Sequence, residues 1–334
     1  MQNLYVGSPM ALIYSLGLDL SEIKKISFVE VSDYQKTIGD RNLLSNVEIC
    51  KNISRALGKE FEFYAHNKTK EMIQNISDKD PIDFRIYMKF VDDFKRLNIR
   101  PIFLCLAPEI SGVHNLSLHK INYGNLKLRM ELILKVFLKF KIYKFYSIGI
   151  KGKKGIFFKE VPINWSLFFQ KLGEVSKTLN QNKPSYFTKL SKLDPEKNLI
   201  IILPLAEHFG GSLEFNTKMF SIIKEKNKNN LIFQILVKNH PTDLRDYSKL
   251  VYEIFPKEIS VLSQGIDEIN FPLELMVTNF KKISFAGAFS SVMFSFSSKS
   301  QAPSLIFIPN LHKKWFNYTS GSSIKDFNNE ILFI

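Results

Sequence analysis

Short runs of branched and aromatic apolar residues recur along this chain, each stopped by Gly, Pro or a polar cluster and most followed by a stretch of helical period. Few folds accept that alternation: it calls for a mostly parallel sheet covered by helices on both faces. In the first half, strands are expected at Asn3 to Val6, Ile26 to Val31, Phe61 to Ala65, Pro101 to Leu106 and Phe145 to Ile150. Helices are expected at Met10 to Leu16, Asn46 to Leu57, Asp83 to Leu97, Leu126 to Phe140 and Trp165 to Leu179. From Asn180 to Lys197 the sequence turns polar and loses its apolar period, which marks an interdomain linker. The pattern then restarts with strands at Asn198 to Pro204, Leu231 to Val237, Ile259 to Leu262, Ile283 to Phe285 and Leu305 to Ile308, and a helix at Asn216 to Lys226. Two successive Rossmann-like halves follow, residues 1–182 and 183–334, in line with a length of 334 residues.

Charge narrows the partners. Lys and Arg number 46 against 32 Asp and Glu, a formal net charge of +14, so the favoured partner is negatively charged. Nucleic acid is set aside, because there is no RNA-binding aromatic motif, zinc-finger spacing or basic heptad array. Cys50 and Cys105 are the only cysteines, which excludes a disulfide framework and a cysteine-built metal site and fits a reducing cytoplasm. No apolar run reaches the ~18 residues of a membrane span, and the amino terminus lacks signal-peptide order. A soluble protein is expected. The Leu126 to Phe140 helix has one basic face, with Lys127, Arg129, Lys135 and Lys139, suited either to solvent or to peripheral contact with an anionic inner-membrane face.

Ligands of open parallel sheets sit beyond the carboxyl ends of the strands, so those loops carry the chemistry. At the amino terminus, Gly7-Ser8-Pro9 forms a strand-to-helix turn: Pro9 suits the first helical turn and Ser8 the cap, and such a helix start can face an anion. The strand Leu231 to Val237 ends in Lys238-Asn239-His240-Pro241-Thr242-Asp243. There His240, stiffened by Pro241, can protonate or hydrogen-bond a departing phosphate, with Lys238 adding charge. The bland alternative is a helix-capping turn with Thr242 or Asp243 as the cap. After Ile283 to Phe285 comes Ala286-Gly287-Ala288-Phe289-Ser290-Ser291, in which Gly287 permits close backbone approach and the two hydroxyls, with helix amides, can hold a phosphate without metal. The loop Pro204 to Ser212 adds Glu207, a candidate base, and Gly210 and Gly211, which let a ligand come close; His208 is a lesser candidate. No Walker sequence, Gly-x-Gly-x-x-Gly, His-Glu-x-x-His or Gly-x-Ser-x-Gly occurs, which removes P-loop hydrolysis, most dinucleotide oxidoreduction, zinc proteolysis and lipase-type chemistry.

Taken in order, the Ser8-Pro9 turn, the Pro204-Leu-Ala-Glu207 to Gly210 loop, His240-Pro241 and Ser290-Ser291 resemble the bacterial sialyltransferases that carry a His-Pro motif, including capsular polysialyltransferases. The resemblance implies an α/β fold of GT-B type, two Rossmann-like domains with a cleft between them. It also implies inverting, metal-independent transfer of a nonulosonic acid from a CMP donor to a glycan hydroxyl, in capsule or lipooligosaccharide synthesis. No cofactor is implied beyond the donor substrate; the partners are the CMP-sugar and a glycan acceptor, anionic or lipid-linked. By the same likeness His240 assists departure of CMP, and Ser290 and Ser291 hold its phosphate. The family's acidic motif is two carboxylates followed by glycine, whereas here Glu207 is followed by His208, Phe209 and Gly210. Two candidates for the base therefore stand, Glu207 and Glu109. The alternatives are a GT-B enzyme that uses another nucleotide sugar and a non-catalytic basic glycan-binding protein.

Overall fold

The computed structural model describes residues 2–31, 40–77, 79–94, 102–105, 144–147, 159–188, 190–207, 210–227, 233–240, 243, 245–255, 260–263, 271–288, 290–296, 304–310 and 329–334. The chain forms two compact units, Met1–Val175 and Ser176–Ile334.

In the first unit the strands are β1 (Gln2–Val6), β2 (Ile23–Val29), β3 (Glu60–Tyr64), β4 (Pro81–Asp83), β5 (Ile102–Cys105), β6 (Lys144–Ser147) and β7 (Lys159–Pro162). They pair in parallel in the order β3-β2-β1-β4-β5-β6-β7, so the winding direction reverses between β1 and β4. Leu4, Tyr5 and Val6 on β1 and Ile26, Phe28 and Val29 on β2 are all buried, as a parallel sheet covered on both faces requires.

The turn after β1 folds as its residues dictate. Ser8 adopts extended backbone and its Oγ accepts the Ala11 N–H at 3.2 Å, while Pro9 opens helix α1 (Pro9–Ser15). Ser8→Ala should therefore destabilise the fold by about 1 kcal/mol, read as a lower urea midpoint. Helix α2 (Asp40–Ala56) extends earlier than its apolar stripe, and α3 (Thr69–Gln74) follows β3.

The span Asp83 to Leu97, expected as one helix, is corrected. Pro81–Asp83 is the strand β4, pairing Ile82 with Tyr5 on one side and Phe103 on the other. Asp83 ends that strand and also caps α4 (Phe84–Lys89) by accepting the Arg85 N–H at 3.0 Å; α5 (Val91–Phe94) follows after a break at Phe90. Helix α6 (Trp165–Asn182) contains the division between the two units, ahead of the polar stretch. At its start Phe168 stacks on Tyr14, ring centroids 5.6 Å apart, with Trp165 edge-on to Phe168 at 5.3 Å.

The second unit contains β8 (Asn198–Leu203), β9 (Phe233–Val237), β10 (Ser260–Ser263), β11 (Ile283–Gly287), β12 (Ser304–Ile308) and β13 (Asn329–Phe333), parallel and ordered β10-β9-β8-β11-β12-β13. The reversal again falls beside the first strand of the unit, between β8 and β11. Its described helices are α7 (Leu213–Lys226), α8 (Ser248–Ile254), α9 (Leu273–Met276) and α10 (Ser291–Phe296). Ile200, Ile202, Ile235 and Val237 from the sheet pack with Met219, Phe220 and Ile223 of α7 and Val251 of α8 in one buried cluster. The basic segment Leu126 to Phe140 lies outside the described residues. Among the described residues no helix is long and apolar enough to cross a membrane.

Candidate functional site

Three strand ends at the reversal point of the second unit line up by their backbone hydrogen bonds. Pro204, with no N–H to give, follows the central strand β8. On one side the Lys238 N–H, just past β9, reaches the Ile202 carbonyl at 3.0 Å; on the other the Ala288 N–H, just past β11, reaches the Leu203 carbonyl at 2.7 Å. The loops carrying Glu207, His240 and Ser290 thus leave adjacent strands at one edge of one sheet.

Each candidate residue has a definite place. Lys238 is 8% exposed and His240 is half-buried, with its carbonyl accepting the Asp243 N–H at 2.8 Å to close a tight turn. Pro241 and Thr242 lie outside the described residues, as do Glu109 and His208. Glu207 is exposed, and its carbonyl accepts the Gly210 N–H at 2.8 Å. Gly210 has φ +85°, a conformation that suits glycine. Gly287 has φ +138° and lies so close to Leu203 that an added Cβ would overlap the Leu203 carbonyl oxygen. Ser290 is half-buried immediately before α10, its carbonyl accepting the Met293 N–H at 3.1 Å, and Ser291 opens that helix.

Asp243 does not cap a helix. The N-cap of α8 is Tyr247, and its own side chain makes no capping bond; the Asp246 carboxylate instead accepts the Ser248 N–H at 2.8 Å. Asp243, 4% exposed, is engaged by Arg245: Nε donates to Oδ1 and Nη2 to Oδ2, both at 2.7 Å. The Tyr247 hydroxyl donates to the same Oδ2 at 2.9 Å. Burial pushes the Asp243 carboxyl up, but these hydrogen bonds outweigh it and hold the group below the usual carboxylate range. Hydrogen bonding to Asp243 drives the Arg245 guanidinium above its ordinary value against some desolvation, with attraction from Tyr247, Asp243 and Glu207 adding to it.

Arg245 and Asn216 were not legible as site residues, and both reach into the Glu207 loop. Nη1 of Arg245 donates to the Gly211 carbonyl at 2.6 Å and Nη2 to the Leu205 carbonyl at 3.0 Å. Asn216, fully buried on α7, accepts the Leu205 N–H at 2.9 Å and donates to the Leu205 carbonyl and the Tyr247 hydroxyl, each at 3.0 Å. The sequence offered one cue, Asp243-x-Arg245-x-Tyr247 after the His-Pro pair, but nothing to say which carbonyls the guanidinium would meet.

In the first unit the matching reversal point is occupied by its own structure. The Ser8 hydroxyl is taken by Ala11, and the Asp83 carboxylate, 2% exposed, accepts the Gly7 N–H at 3.1 Å as well as that of Arg85. Among the described residues no three of His, Cys, Asp and Glu are grouped to hold a metal ion.

No protein-family model matches this chain, and no curated protein matches it either. Solved structures do. The chain is similar to the UDP-GlcNAc 2-epimerase from Neisseria meningitidis bound to UDP-GlcNAc, with a TM-score of 0.50 and 11% identity over 92% of this chain and 82% of that one. That likeness is one of fold: this is a GT-B architecture of two Rossmann-like units. The chain is also similar to a sialyltransferase from Photobacterium damsela, with a TM-score of 0.49 and 10% identity over 100% of this chain and 81% of that one. Against residues 113–497 of a Photobacterium damselae sialyltransferase, its GT-B domain, the TM-score is 0.49 and the identity 11%, with 99% of each chain covered. At such identities no activity passes from a neighbour to this chain.

Proposed function

We propose that this protein is an inverting, metal-independent glycosyltransferase that moves a nonulosonic acid of the sialic type from CMP to a glycan hydroxyl. One observation carries the reading: the His240 turn, the Glu207 turn and the Gly287–Ser290 turn leave three neighbouring strands at the reversal point of a single parallel sheet, where an open α/β sheet takes its ligands. The order of those motifs in the sequence, which resembles that of His-Pro sialyltransferases, supplies the choice of donor.

The reaction is a single displacement. A carboxylate, Glu207 or Glu109, takes the proton of the acceptor hydroxyl as its oxygen attacks the anomeric carbon. The bond from that carbon to the CMP phosphate oxygen breaks, and its electrons leave with CMP. His240 donates a hydrogen bond or proton to the departing oxygen, while Ser290, Ser291 and the amides at the start of α10 hold the phosphate. Lys238, Pro241, Gly210 and Gly287 shape the donor side. The net charge of +14 suits an anionic donor and an anionic or lipid-linked acceptor, the latter reached from the cytoplasmic face of the inner membrane.

A donor panel tests the reading. With CMP-sialic acid and a glycan acceptor, CMP should be released and the product should carry the inverted anomeric configuration by NMR. Selective turnover of a UDP-sugar would reject the donor, and the absence of turnover with every nucleotide sugar would reject the enzyme.

A further inference from the structure

An ion pair with Asp243 needs only part of the Arg245 fork. Its Nε and Nη2 already grip both carboxylate oxygens, yet Nη1 and Nη2 also take the carbonyls of Gly211 and Leu205, which belong to a different loop. The two carbonyls bracket Glu207: the turn leaves at Leu205, passes Glu207 and returns at Gly211, whose N–H donates to the Ala206 carbonyl at 3.1 Å. The turn closes so tightly that a Cβ on Gly211 would lie 2.9 Å from the Ala206 oxygen and overlap that of Leu205. The carboxylate that aligns the guanidinium belongs to the His240 turn, since the Asp243 N–H is held by the His240 carbonyl. Asn239, 7% exposed, pins the other end of that segment by donating to the carbonyls of Asp243 at 3.1 Å and Arg245 at 2.6 Å.

We propose that Arg245, aligned by Asp243, is a positioning residue that locks the Glu207 turn to the His240 turn, so that groups on the two loops act across a fixed gap. The proposal rests on the transferase reading for its kinetic consequence but not for the clasp itself. Only a planar fork can serve four acceptors at once; an ammonium of the same charge has neither the spread nor the plane. The Asn216–Tyr247 strut reaches the same Leu205 from α7, which keeps the loop folded when the clasp is removed.

Arg245→Lys keeps the charge and loses the fork. Amide exchange should quicken at Gly210 and Gly211 as well as at Asp243, a readout that needs no activity; quickening confined to residues 243–247 would overturn the clasp. With CMP-sialic acid, kcat should fall by about 100-fold with the donor KM little changed, the cost of a misplaced reacting group. In a His240→Ala background the same change should lose most of its effect on kcat, whereas a full additive loss would mean that Arg245 does not act through that turn. Should Arg245→Lys fail to fold, Asp243→Asn serves in its place, with the same two turns expected to loosen. A wild-type protein inert toward every donor would end the transferase reading and leave the exchange experiment to decide the clasp.

Discussion

Alanine at His240 is expected to lower transfer from CMP-sialic acid by about 10²–10⁴-fold, the range of a lost general acid, and to leave the fold intact. The fold is spared for a local reason. The His240 backbone carbonyl holds the Asp243 N–H at 2.8 Å, a bond that survives truncation of the ring. The half-buried imidazole also leaves no large cavity in the core. The loss should fall on kcat, because the proton matters once negative charge builds on the leaving phosphate and little before. The measurement is CMP release by the variant under saturating donor, beside its urea midpoint. Transfer equal to wild type would remove His240 from the mechanism, and loss of activity together with collapse of the midpoint would make it a structural residue.

How much of this was readable in advance depends on whether a residue's role is local. Ser8 and Pro9 announced a helix start because cap and first-turn chemistry act within three residues, and that start is where the structure has it. The runs at β8, β9 and β11 were legible because central parallel strands are apolar on both faces. By contrast β4 was hidden: it is Pro81–Asp83, and its last residue doubles as a helix cap, so strand and helix share a boundary without a loop between them. The edge strands β7, Lys159–Pro162, and β13, Asn329–Phe333, were passed over because each is short and opens on polar or charged residues. Neither shows the long apolar run of an interior strand, even though Leu332 packs against the core of the second unit. In the site, His240 and the serines stood out as motif residues. Arg245 did not, because its meaning lies in the carbonyls of Leu205 and Gly211, remote in sequence and carrying no mark in their side chains.

Gly287→Ala should be strongly destabilising, because it combines backbone strain with a backbone overlap. The backbone there has φ +138°, and the new Cβ would overlap the Leu203 carbonyl oxygen and lie 2.7 Å from both the carbonyl carbon and the amide nitrogen of the same residue. All three are backbone atoms of the central strand, held by its pairing with β9 on one side and β11 on the other. The Leu203 carbonyl is also the acceptor for the Ala288 N–H at 2.7 Å, the bond that sends the chain from β11 toward Ser290. No side-chain rotation relieves the overlap, so the strand end must move, at an expected cost of at least about 3 kcal/mol. Gly58→Ala makes the control. Its φ of +67° is also unfavourable for alanine, but nothing lies within 4 Å of the added Cβ, so the expected cost is only the left-handed penalty of about 1 kcal/mol. Urea unfolding of the two variants compares crowding with dihedral strain alone, and residual transfer activity of Gly287→Ala reports whether the Ser290 turn has shifted. If Gly287→Ala were no less stable than Gly58→Ala, the close approach of β11 to β8 would not be what fixes this edge of the sheet.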